Sequence, residues 1–143
     1  IMAYFGLGCR SVTKLYLPKG FDLDRIFKPL YAYRNYLDCK PYADNYDYHR
    51  SLWMMNKINF MENGFMLLRE EASLHSAVAA LHYAYYDDLE LVQKELLQRE
   101  EELQMVVSKK PFFPRQATFG GGQQPALDDY ADGVDTLAFL ASF

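Results

Sequence analysis

The chain has 143 residues, half of them apolar and 16% aromatic, enough for a single domain with a real core. Its formal net charge is −4 and no basic stripe is visible, which argues against nucleic acid as a partner. Two cysteines without CxxC or Cys/His metal spacing, and no apolar run approaching the ~18 residues of a membrane span, read as a protein of the reducing cytoplasm.

The first notable stretch is Tyr4-Phe5-Gly6-Leu7-Gly8-Cys9-Arg10-Ser11-Val12. A cysteine after a Gly-x-Gly turn, at a loop-to-strand junction and beside a cation, has surroundings that favour a thiolate nucleophile. The alternative is a buried structural cysteine next to a tight turn. Such a motif this near Ile1 has no scaffold in front of it, so the expectation is the C-terminal catalytic fragment of a longer protein.

Residues 11–17 alternate in the manner of a strand that stops at the turn Pro18-Lys19-Gly20. Asp22 is placed to cap a helix carrying Leu23, Ile26, Phe27 and Leu30, which Pro29 should kink or split. Tyr31, Tyr33, Tyr36, Tyr42, Tyr46 and Tyr48 read as core or interface filling. Lys40 to Asp44 reads as a loop. A helix capped by Asn45 or Asp47 is then expected to run to about Phe60, with Tyr48, Leu52, Met55 and Ile58 inward.

After the stop at Glu62-Asn63-Gly64, Phe65-Met66-Leu67-Leu68 reads as a buried strand. Ser73 predicts a helix whose apolar face runs Leu74, Val78, Leu81 and Tyr85, and Asp87 or Asp88 another with Leu89, Val92, Leu96 and Leu97. The acidic run Glu100 to Glu102 should fray the end of that helix. Leu103 to Ser108 reads as a strand, Lys109 to Arg115 as a Pro-containing loop, and a terminal helix follows. Strands separated by helices predict an α/β fold with a mainly parallel sheet and flanking helices.

His75 and His82 could share a helix face, but no carboxylate or third histidine stands at ligand spacing, so packing roles are favoured. Asp128, Asp129, Asp132 and Asp135 lack the closing glutamate of a calcium loop. No metal is therefore expected. The run Phe119-Gly120-Gly121-Gly122-Gln123-Gln124-Pro125 leads into a dense, non-repetitive segment and reads as a shaped pocket wall rather than a tether.

The segment from Phe119 to Leu137, with Asp129-Tyr130-Ala131-Asp132-Gly133-Val134-Asp135-Thr136 at its heart, resembles the C-terminus of the acyl-CoA reductases related to the fatty-acid reductase of bacterial bioluminescence. Asp44 to Tyr48, Asn63 to Leu68 and Gly6 to Val12 are also similar to that family, so the resemblance extends from Phe5 to Leu140. The family belongs to the aldehyde dehydrogenase superfamily. The resemblance implies a three-layer fold like part of an aldehyde dehydrogenase catalytic domain. It implies that Cys9 accepts a fatty acyl group from acyl-CoA as a thioester, which NADPH then reduces to an aldehyde. It places Glu62 near a ribose-binding carboxylate segment, though the usual Phe-Gly-Pro pattern is absent; the alternative is a glutamate that stops a helix. Cys39 reads as structural. NADPH would be held mainly by sequence ahead of Ile1, so this chain alone should neither bind it tightly nor reduce anything. The superfamily's habit of pairing implies a homo-oligomer. The remaining readings are a CoA-acylating aldehyde dehydrogenase working in the opposite direction and a non-catalytic interaction module, for which the tyrosines and the charged helix from Asp88 to Leu103 could form a surface.

Overall fold

The computed structural model describes residues 1–127, 129–130 and 133–143. It divides into two compact units, Ile1–Asp88 and Leu89–Phe143. The fold is mixed α/β with a mainly parallel four-stranded sheet. Among the described residues no helix is long and apolar enough to cross a membrane.

The first unit holds the sheet, in the order β1-β4-β3-β2. Strand β1 (Lys14–Pro18) lies parallel to β4 (Ala80–Tyr86), β4 parallel to β3 (Leu67–Glu70), and the short β2 (Met61–Glu62) antiparallel to β3. The N–H of His82 donates to the Thr13 carbonyl and that of Lys19 to the Tyr86 carbonyl, so the odd-numbered residues of β1 face β4. Pro18 therefore turns its missing N–H toward the open edge, where a strand tolerates proline.

The expected helix from Ser73 to Tyr85 is not there. Residues 71–79 form an extended crossover, and 80–86 are the central strand β4. Leu74, Val78, Leu81 and Tyr85 fit a helical period by coincidence. What decides the matter is tertiary: β1 and β3 each need a hydrogen-bonded neighbour, and Tyr83, Tyr85 and Tyr86 are side chains that suit a pleated surface. The crossover is fastened by side chains of the strands it passes. Thr13 Oγ1 donates to the Leu74 carbonyl at 2.7 Å, Lys14 Nζ to that of Ala72 at 2.7 Å, and His82 Nδ1 lies 3.2 Å from that of Ser73. His75 and His82 thus share no helix face. His82 is buried within the sheet, and that burial holds its pKa below the ordinary value.

The core gathers Phe65, Met66, Leu67, Leu68 and Leu81 with Leu17, Leu23, Phe27, Tyr42, Tyr46 and Trp53. Helix α1 (Asp24–Leu30) starts as expected, with Asp22 Oδ1 accepting from the Asp24 N–H at 3.0 Å. Pro29 removes the donor that the Arg25 carbonyl would use, and the chain passes into a 3₁₀ helix over Tyr31–Asp38.

Helix α2 (Lys40–Met55) begins where a loop was expected and ends short of Phe60. Pro41 sits in its first turn, where the lost N–H had no partner in any case, and Lys40 Nζ meets Asp44 Oδ2 at 2.6 Å one turn on. Its end is a Schellman motif: the Ile58 N–H donates to the Trp53 carbonyl, that of Lys57 to Met54, and Lys57 takes φ +55°. A lysine in the place usual for glycine hid this stop. The inward face is Tyr42, Tyr46 and Trp53, while Tyr48 and Met55 point to solvent. Tyr42 donates its hydroxyl to the Phe65 carbonyl at 3.0 Å, and burial pushes that phenol up to about 12.

In the second unit, α3 (Leu89–Gln98) buries Val92 and Leu96. The acidic run does not fray but closes into a 3₁₀ turn, Glu100–Glu102, because Arg99 pairs with Glu102 at 2.8 Å and Arg115 with Glu100 at 3.4 Å. The expected strand from Leu103 to Ser108 shrinks to β5 (Val106–Val107), paired with β6 (Gln116–Ala117). The terminal helix is α4 (Thr136–Ala141), capped by Asp135 Oδ1 on the Ala138 N–H at 2.8 Å, with Leu137, Phe139 and Leu140 exposed.

Candidate functional site

Cys9 is a free thiol at the surface. It lies between Gly8 and Ser11, whose carbonyl and N–H close a turn at 2.8 Å. The chain ahead of it is unusual: Tyr4, Phe5 and Gly6 have φ of 52°, 58° and 77° in succession. A left-handed conformation costs a side-chain-bearing residue about 1–2 kcal/mol, so two aromatic residues in a row there need outside support. The support is the tyrosine cluster. The Phe5 ring lies 4.4 Å from that of Tyr36 and 6.1 Å from that of Tyr42, and Tyr36 donates its hydroxyl to the Met2 carbonyl at 2.9 Å. Met2 itself is buried. The cysteine is therefore displayed on a turn whose approach is pinned to the core, five residues before the edge strand β1.

Glu62 stands on β2, seven residues past the end of α2, so it does not stop a helix. Its Oε2 accepts from the Tyr46 hydroxyl at 2.7 Å and from Arg50 Nε at 2.6 Å, and its Oε1 from Arg50 Nη2 at 3.0 Å. Tyr46 and Arg50 are one turn apart on α2, which places both donors on one helix face. The Arg50 guanidinium holds the Glu62 carboxyl below the usual carboxylate range, and burial together with Glu62 drives the Tyr46 phenol upward. The carboxylate thus straps helix α2 to the edge of the sheet.

A pH dependence follows. The folded pKa of Glu62 is depressed, so its contribution to stability is present above the unfolded value near 4.5 and is lost as pH falls through the folded value. Glu62→Gln should lower the urea midpoint at neutral pH and close the gap to wild type in acid. Two curves that stay parallel from pH 7 to pH 3 would contradict the strap.

Phe119 to Gly122 form a surface turn of the second unit. Phe119 is 73% exposed, Gly120 has φ +86°, and the Gly121 N–H donates to the Thr118 carbonyl at 3.0 Å. Cys9 and Glu62 belong to the first unit, on separate elements with no hydrogen bond joining them. Asp128 and Asp132, from the acidic run and the Asp-Tyr-Ala-Asp segment, lie outside the described residues. Among the described residues no group of three or more His, Cys, Asp or Glu is placed to hold a metal.

One concave feature was not legible in the sequence. The 3₁₀ helix Tyr31–Asp38 and the turn Asn63-Gly64-Phe65 enclose a cleft of about 670 Å³. Its polar side chains are Arg34, Asn35, Asp38 and Asn63. The run Tyr-Ala-Tyr-Arg-Asn-Tyr reads as aromatic filler, and only the 3₁₀ period and the distant turn make it one wall of a cleft.

No family model, curated protein or solved structure matches the chain.

Proposed function

We propose that this chain is the catalytic part of an acyl-CoA reductase, which reduces a fatty acyl thioester to an aldehyde with NADPH as reductant. The observation that carries the reading is Cys9: a free, exposed thiol on a turn braced by the core, inside a motif that resembles the nucleophile segment of that family. On this reading the mainly parallel sheet is one part of a three-layer aldehyde dehydrogenase catalytic domain, and the exposed apolar side of α4 meets a second copy in a homo-oligomer.

Neither glycine-rich run of the chain forms the dinucleotide cradle usual for NADPH. Gly120 to Gly122 stand in a surface turn that leads into irregular chain, and Gly6 and Gly8 lead into Cys9 rather than into a helix, which a dinucleotide cradle needs. Glu62 is engaged by Arg50 and Tyr46. The chemistry that this chain's own residues carry is acyl transfer. The Cys9 thiolate attacks the thioester carbonyl carbon, a C–S bond to Cys9 forms, the C–S bond to CoA breaks, and CoA leaves as its thiolate. Nothing is oxidised or reduced in that step. The negative charge that develops on the carbonyl oxygen calls for N–H donors, which turn backbone can supply.

The same acyl transfer run backward serves a CoA-acylating aldehyde dehydrogenase. The exposed apolar residues of α4 and the exposed Tyr31, Tyr33 and Tyr48 favour an interaction module as the second reading.

Iodoacetamide labelling with peptide mapping tests the choice. Cys9 should be alkylated faster than the half-buried Cys39, and prior incubation with a long-chain acyl-CoA should protect Cys9 while leaving Cys39 unchanged. Equal labelling with and without acyl-CoA would remove the support for an enzyme and leave the module.

A further inference from the structure

The cleft between Tyr31–Asp38 and Asn63–Phe65 has the size of a small-molecule site, for which roughly 300–1,000 Å³ is usual. Three residues per turn place Tyr31 and Arg34 on one line of the 3₁₀ helix and Asn35 and Asp38 on the next. The Arg34 guanidinium lies 5.1 Å from the Tyr31 ring centroid, and among the described residues no carboxylate pairs with it. Opposite, Gly64 presents no side chain, and a Cβ there would meet nothing within 4 Å, so the mouth is open. Asn63 spends Oδ1 on the N–H groups of Phe65 and Met66, which leaves its Nδ2 a buried donor with no partner among the described residues.

Each group limits the ligand. A guanidinium stacked on an aromatic ring and free of a carboxylate is suited to a phosphate, which it can grip with two N–H groups. Tyr31, the exposed aromatic ring of the lining, suits a planar base. The Asn35 amide offers the donor–acceptor pair that matches the edge of adenine. The Asp38 carboxylate accepts from a ribose hydroxyl or an exocyclic amine. The side chains together specify an anion, a flat ring and hydroxyl or amine donors on one molecule.

We propose that this cleft holds an adenosine carrying a ribose phosphate, a chemistry shared by the nucleotide end of acyl-CoA and by NADPH. The choice of this ligand rests on the acyl-CoA reductase reading; the anion, ring and donor requirements come from the cleft itself. The cleft is also tied to the nucleophile. Tyr36, on the same 3₁₀ helix, touches Phe5 and Met2, and the four residues from Phe5 to Cys9 span at most ~14 Å. A ligand with its adenosine in the cleft and a long arm running past Phe5 is directed toward Cys9.

The test uses Arg34→Met, an exposed position where the change keeps the stem and removes the charge. Calorimetry should show binding of adenosine 3′,5′-bisphosphate to wild type, weakened about tenfold in the variant. Binding of adenosine 2′,5′-bisphosphate in its place would assign the same cleft to NADPH. If neither binds, or Arg34→Met binds as well as wild type, the proposal is overturned. The second arm follows acylation of Cys9 by acyl-CoA and by the S-acyl pantetheine that lacks the nucleotide. For a CoA site, Arg34→Met should raise the half-saturating acyl-CoA about tenfold and leave the pantetheine substrate unaffected. An equal effect on both substrates would overturn the CoA assignment. Failure of both to acylate Cys9 would sink the reductase reading instead, an outcome that bisphosphate binding does not depend on.

Discussion

Leu81→Ala is expected to destabilise the first unit by about 3–5 kcal/mol, among the largest effects of any single truncation in the chain. Leu81 has no exposed surface and lies near the start of β4, an inner strand of the sheet, paired in register with Leu68, which is equally buried. Removing its three outer carbons leaves a cavity against strands that are held on both sides, where backbone collapse would break the β1 and β3 ladders at once. Leu97→Ala provides the contrast. Leu97 lies on α3 with 43% exposure, and its truncation should cost less than about 1 kcal/mol. Urea unfolding with unchanged slope would report both. A loss below about 1 kcal/mol for Leu81 would mean that residues 80–86 are not the centre of the sheet.

The second large effect is chemical. Cys9→Ala should slow release of free CoA from acyl-CoA by roughly a thousandfold or more, since the other thiol, Cys39, is half-buried and less open to an acyl-CoA. Cys39→Ala is the control. Cys39 packs at the edge of the core between the 3₁₀ helix and α2, so its removal should lower stability slightly while CoA release stays near the wild-type rate. Comparable loss in the two variants would place the effect in folding rather than in the nucleophile.

Much of the first unit was legible because local signals and tertiary needs agreed. Asp22 caps α1, Pro29 ends its regular part, Gly64 marks a turn with φ +90°, and Phe65 to Leu68 are buried as their continuous apolar run requires. The failures have separate physical causes. Residues 73–85 carry helical spacing yet become crossover and strand, because the demand for hydrogen-bonded neighbours outweighs the spacing of four apolar side chains. Helix α2 was misplaced at both ends by Pro41, a residue that can open a helix as well as interrupt one, and by Lys57, which adopts a backbone usually left to glycine. That shift moved the inward face from Tyr48 and Met55 to Tyr42, Tyr46 and Trp53.

The site was legible only in part. The turn at Cys9 could be read, but its bracing by Tyr36 and Tyr42 joins residues some thirty positions apart and leaves no local mark. Glu62 stands out in the sequence for a reason unrelated to the bonds it makes, since Arg50 and Tyr46 reach it only after the chain reverses between α2 and β2. The cleft required two segments to meet, and neither announces it alone.

The most direct test of the central claim is the mass of the Cys9 peptide after the chain is mixed with a long-chain acyl-CoA. The account predicts a single added acyl group on the peptide that contains Cys9, removed by hydroxylamine as a thioester is, and no adduct on the peptide that contains Cys39. An unmodified Cys9 in folded protein at saturating acyl-CoA, or an adduct shared evenly between the two cysteines, would contradict it.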